Sequence, residues 1–201
     1  TCPGFFSRLL DMPKVDGVVF ACEHASKRVP LRYRRLFARR TALLDSHRGW
    51  DPGALELARA LARQLGRPLF RGVVTRLLVD LNRSLQSPTL FSEYALRLEE
   101  KERLVLLARY WQPYRHAVRH CLEEELAGGG RVLHFSVHSF TPKLRSETRR
   151  TDIGLLFDPA RPAEARFCRA LRAALQGEFP ELRIDMNEPY SGVSEETNSD
   201  A

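Results

Sequence analysis

The residues with the most chemistry stand where apolar runs end. Glu23 and His24 follow Val18, Val19 and Phe20, the segment DLNRS (80–84) follows Leu77, Leu78 and Val79, and His138 follows the run VLHFSV. An acid beside an imidazole adds nothing to a hydrophobic core, and buried charge is costly unless it is paired or bound to a metal. His47 and Asp51 add a further imidazole and a carboxylate in HRGWD (47–51). Two imidazoles and one carboxylate are the ligand set of a catalytic zinc site that keeps its fourth position open for water. These residues are far apart in the chain, so such a site exists only if the fold gathers them.

The elements that must do the gathering alternate between strand and helix. Residues 16–22 read as a buried strand. Residues 51–66, DPGALELARALARQLG, read as a helix, with Asp51 as N-cap, Pro52 at the first helical position and Gly66 as the stop. Residues 67–84 hold one or two strands. A long helical stretch runs from about Ser92 to Ala127, bent near Pro113 because proline lacks the N–H that a helix interior needs. A turn at GGG (128–130) leads into a strong strand ending near Phe140. A strand over 152–159, a helix over 162–177 and a short strand over 182–187 complete the pattern. Alternation of this kind predicts a three-layer α/β/α fold with a mostly parallel mixed sheet, organised as a single domain over residues 1–201. In such sheets ligands bind at the carboxyl ends of the strands, and that rim is where His24, DLNRS and His138 fall.

Composition narrows the function classes. The 201 residues are 43% hydrophobic, enough for one substantial core. Cys2, Cys22, Cys121 and Cys168 show no paired spacing, which reads as reduced thiols and a cytoplasmic setting. No run approaches a membrane span, and the start lacks the layout of a signal peptide. The net charge of +7 comes largely from interrupted arginine clusters such as RYRRLFARR (32–40), with no nucleic-acid motif or aromatic platform. No nucleic-acid partner is expected; a small anionic substrate suits the charge.

Six segments in this order, CEHAS, HRGWDPGA, RLLVDLNRS, SVHSFTP, DIGLLFDP and NEPYSG, resemble the N-formylglutamate amidohydrolase family over residues 18–193. That family is similar to the zinc carboxypeptidases and to the aspartoacylase and succinylglutamate desuccinylase group, which implies a zinc-exopeptidase-like (phosphorylase/hydrolase-like) fold. The resemblance implies Zn²⁺ bound by His24 and His138. Relatives take a third ligand from a Glu three residues after the first His, where this chain has Lys27. Asp51 is the expected substitute, with His47 and Glu23 as rivals.

The activity implied is hydrolysis of the N-formyl or N-acyl amide of an acidic amino acid. An amidase acting on a different acyl group, or a binding protein that kept the pocket and lost its base, shares the same features. Arg83 offers a planar, bidentate fork for the substrate α-carboxylate, with Asn82 as an amide donor beside it. Arg76 is a second candidate for an anionic group, His47 is a substrate contact if it is not a ligand, and Asn187 and Tyr190 in NEPYSG border the site in the family. A carboxylate must also carry a proton from water to the leaving amine. The relatives supply it as a Glu on a strand later than NEPYSG, and the closing SGVSEETNSDA does not reach that strand. The chain is therefore expected to be shortened at its C-terminus or to use another acid. Glu23 is the nearest candidate for that catalytic role, or else it orients an imidazole.

Overall fold

The computed structural model of the chain describes residues 14–144 and 147–190. Cys2 and the end of the NEPYSG segment lie outside them. Two compact units form, a larger one spanning Val15–Phe140 and a smaller one beginning at Thr141.

The larger unit is built on the apolar strand β1 (Gly17–Cys22), flanked by β2 (Leu69–Arg71) on one edge and β3 (Val132–Ser136) on the other. Both pairings are parallel, with Phe20 opposite Leu69 and Phe135, and Ala21 opposite Phe70 and Ser136. Strand alternation then sorts the side chains. Phe20 and Cys22 join Phe135 and Val137 against the small-residue stripe Ala54, Leu55, Ala58 and Ala62 of helix α2 (Ala54–Leu65), which follows the short helix α1 (Thr41–Asp45). The opposite face carries Val19 and Ala21 beside His134 and Ser136, and continues past the strand end to Glu23. There it meets helix α4 (Gln112–Ala127) through Tyr114. A sheet covered by a helix on each face is the expected three-layer arrangement.

Several boundaries differ from expectation for physical reasons. Helix α2 begins at Ala54, two residues later than expected: its N-cap is Gly53 in the left-handed region (φ 81°), so Asp51 is no cap. Gly66, also left-handed (φ 61°), ends it as predicted. Residues 67–84 contribute one short strand. Beyond Arg71 the chain is irregular although Val74, Leu77, Leu78, Val79 and Leu81 are buried. Its backbone is satisfied locally: Leu78 N–H donates to the Thr75 carbonyl, and Asp80 N–H to that of Leu90. Gly72 passes so close to the Glu23 carbonyl that a Cβ there would collide with it. The long helical stretch is divided into α3 (Glu100–Leu106), a π turn over Leu107–Trp111, and α4 with Pro113 in its first turn. Gln112 N–H donates to the Leu107 carbonyl across the π turn, and Pro113 falls in a first turn, where its missing N–H is tolerated.

The smaller unit holds the antiparallel pair β4 (Lys143–Leu144) and β5 (Glu147–Thr148), and the parallel pair β6 (Ile153–Leu155) and β7 (Ile184–Met186). Helix α5 (Pro162–Glu178) connects the latter two and packs Ala165 and Cys168 against Leu155 and Ile184. Among the described residues, no helix is long and apolar enough to cross a membrane.

Candidate active site

Two backbone features bring the chemistry to the carboxyl end of β1. The strand stops at Cys22, and Asp51 N–H donates to the His24 carbonyl (2.9 Å), pinning the approach to α2 beside that end. Gly49 runs against the backbone of Leu44 and its carbonyl accepts from the Thr75 hydroxyl (2.8 Å), which ties the 46–51 loop to the 74–81 segment. Three distant pieces of sequence thereby meet.

Asp51 and Glu23 lie on opposite sides of the His138 ring. Nδ1 is 2.9 Å from Asp51 Oδ2, while Nε2 is 3.0 Å from Ser136 Oγ and 3.4 Å from Glu23 Oε2. Burial pushes the His138 imidazole down, but the hydrogen bonds and charges of Asp51 and Glu23 outweigh it and raise the group above its ordinary range. Glu23, Asp51 and Asp80 are almost wholly buried, which favours their neutral forms. The imidazoles reverse this for each: His138 and Ser136 at Glu23, His138 and His24 at Asp51, and His24 and Arg76 at Asp80 hold all three below the usual carboxylate range.

His24 faces the same centre. Its Nε2 lies 2.7 Å from Asp80 Oδ1, and an ionised carboxylate only accepts, so Nε2 carries the hydrogen and a neutral ring keeps its lone pair on Nδ1. That Nδ1 is buried without a hydrogen-bond partner and stands 3.4 Å from Asp51 Oδ2. Buried polar atoms are seldom left unsatisfied. Charge points the same way: among the described ion pairs, Arg76 is the one guanidinium set against these three carboxylates. Protonated imidazoles or a bound cation would offset this negative charge. Atoms of His24, Asp51 and His138 lie within 4.8 Å of one another. Two imidazoles and a carboxylate at that separation fit a divalent cation such as zinc.

The remaining expected residues fall into four groups. His47 is close by, with Nε2 3.2 Å from Ser139 Oγ, while Ser139 N–H donates to Asp51 Oδ2 (3.3 Å); His47 thus touches the site through Ser139. Arg76 grips Asp80 through Nε and Nη2 (3.1 and 2.8 Å) and lies 3.6 Å from Asp51, so its charge is directed at the carboxylates. Asn82 and Arg83 are fixed by their backbone: Asn82 N–H donates to Asp80 Oδ1 (2.9 Å), and the Arg83 carbonyl accepts from the Trp111 indole (2.9 Å). Asn187 and Tyr190 belong to the smaller unit. There Asn187 Oδ1 accepts from Phe157 N–H (3.0 Å), and the Tyr190 hydroxyl accepts from Arg149 Nη2 (2.9 Å). Lys27, in the place of the relatives' Glu, pairs with Asp45 at the surface.

Asp80, not singled out by the sequence within DLNRS, serves His24 and Arg76. Ser136 and Tyr114 are not singled out either. A polar residue two before His138 on the same strand face was the available signal for Ser136; Tyr114 gave none.

No curated protein matches the chain. Among solved structures, the crystal structure of gene product Atu2144 from Agrobacterium tumefaciens is similar, with 32% sequence identity and a TM-score of 0.76, over 89% of this chain and 71% of that one. The family described as N-formylglutamate amidohydrolase matches residues 16–199, a range that takes in every residue of the buried cluster, and the chain belongs to that family.

Proposed function

We propose that the chain is a zinc-dependent hydrolase that cleaves the N-formyl or N-acyl amide of an acidic amino acid such as N-formylglutamate. The observation that carries this reading is the convergence of His24, His138 and Asp51, with the buried Nδ1 of His24 aimed at the Asp51 carboxylate. Zinc held by these three residues would supply a Lewis acid for the amide carbonyl and a water of lowered pKa. Asp80 holds the His24 ring in the tautomer that offers Nδ1, the usual office of a carboxylate behind a metal-binding imidazole.

In this reading Arg83 and Asn82 take the substrate α-carboxylate, on a segment steadied by Asp80 and Trp111. His47 contacts substrate from the Ser139 side, and Arg76 adds positive potential at the entrance while neutralising the carboxylates. For Asn187 and Tyr190 the support is the family resemblance alone. Glu23 is a poor proton shuttle where it stands, because its oxygens accept from Tyr114 and Ser136 and face His138. We assign it to orienting that ring.

Arg83→Lys tests the substrate reading. Lysine keeps the charge and loses the fork. A charge-assisted hydrogen bond contributes on the order of 1.5 to 3 kcal/mol, so kcat/KM on N-formyl-L-glutamate should fall roughly 10- to 100-fold. On the α-amide form of the same substrate the loss should nearly vanish. Equal losses on acid and amide would show that Arg83 supports the fold and does not read the carboxylate.

A further inference from the structure

We propose that His47 is the proton carrier of the amide hydrolysis, using Nδ1 to move a proton from water to the leaving amine. The inference rests on the hydrolase reading above and supplies a residue for the task that Glu23 does not fill.

Hydrolysis forms a bond from the water oxygen to the acyl carbon and breaks the bond from that carbon to nitrogen. The water oxygen loses a proton and the departing nitrogen gains one. A group that takes the first and returns it to the second ends the cycle unchanged, and imidazole is the commonest side chain for such a transfer. The carboxylates at the rim are occupied. Glu23 accepts from Tyr114 and Ser136, Asp51 faces His138 and accepts from Ser139 N–H, and Asp80 accepts from Arg76 and holds His24.

The position of the His47 hydrogen follows from Ser139, which is fixed by other partners. Ser139 N–H donates to Asp51 Oδ2 (3.3 Å) and its hydroxyl donates to the Pro52 carbonyl (2.8 Å). A carbonyl only accepts, so the single hydroxyl hydrogen is committed there. The Ser139 oxygen, 3.2 Å from His47 Nε2, therefore accepts from that ring, and Nε2 carries the hydrogen. A neutral His47 then has its lone pair on Nδ1. Among the described residues that atom meets no hydrogen-bond partner. The ring is only half-buried, on a loop tied to the 74–81 segment by the Gly49 carbonyl and the Thr75 hydroxyl. It stands beside the group formed by His24, Asp51 and His138 and outside it.

The test uses the whole chain. His47→Gln keeps a donor for Ser139 and loses the basic nitrogen. Its zinc affinity, from titration of the metal-free chain, should stay at the wild-type value, while kcat on N-formyl-L-glutamate falls about 100-fold or more and KM changes far less. In His47→Ala, imidazole added to the solution should restore part of the lost rate, with wild type in the same imidazole as the control. A residue that only positions substrate would not be replaced in this way. Nitrogen NMR of the metal-free wild type should show neutral His47 with its hydrogen on Nε2. Weakened zinc binding in His47→Gln would make His47 a ligand, and a raised KM at unchanged kcat would leave it a substrate contact. Either result, or a hydrogen on Nδ1, would overturn the carrier while the hydrolase reading stands. A zinc-loaded wild type that hydrolyses no N-acyl amino acid would overturn that reading, and the carrier with it.

Discussion

Asp51→Asn should lower zinc affinity by about 100-fold or more, since the affinity of a three-residue site depends on ligand number and charge. The change keeps the size of the side chain and leaves an oxygen that can still accept from Ser139 N–H. It should not disturb the start of α2, because that helix is capped by Gly53 in its left-handed conformation. The metal-free variant should melt below wild type by what the lost ion pair with His138 contributed, since an amide carries no charge. A further difference should emerge on adding zinc: at a hundredfold excess over the dissociation constant a ligand stabilises the folded chain by about 2.7 kcal/mol, and the variant should lose nearly all of that gain. Calorimetric melting of both proteins, with and without zinc, measures it. Equal zinc-induced shifts would remove Asp51 from the ligand set and move attention to His47.

Asp80→Ala should produce the largest loss of stability. The Asp80 carboxylate is buried and accepts from His24, from Arg76 through two nitrogens and from the backbone of Asn82. Its removal leaves a guanidinium and an imidazole without their anion. Breaking a buried ion pair by deleting one partner costs about 3–5 kcal/mol, which urea unfolding of the metal-free protein resolves. Asp80→Asn should cost less, because an amide oxygen can still accept one bond, yet its zinc affinity should drop about 10- to 100-fold as the His24 tautomer loosens. If Asp80→Ala unfolds within about 1 kcal/mol of wild type, the carboxylate is not the keystone of this network.

How much of this could be read in the residues depends on how local each cause is. The apolar run of β1 is local, and an acid and an imidazole at its end announced a site. The stop at Gly66 is local too, since a left-handed cap needs glycine. Asp51 was legible as a chemical group but misread as a cap: Asp followed by Pro suits a helix start, and only the structure shows that Gly53 has taken that place. Of the one or two strands expected over 67–84 one forms; the 74–81 segment buries its apolar side chains as a strand would, while its backbone is satisfied by Thr75, Asp80 and the Leu90 carbonyl. Hydrophobic pattern carries no record of such bonds. The partners of Glu23 are more distant still: Ser136 and Tyr114 reach it only because β3 pairs with β1 and α4 covers that face. No spacing along the chain encodes such a meeting.

A zinc site at His24, Asp51 and His138 is tested most directly by a zinc titration of the metal-free chain, followed in parallel by heat release and by hydrolysis of N-formyl-L-glutamate. It predicts saturation near about one ion per chain, with the hydrolytic rate rising along the same curve. Full hydrolysis by the metal-free chain, or no saturable uptake of zinc, would contradict it.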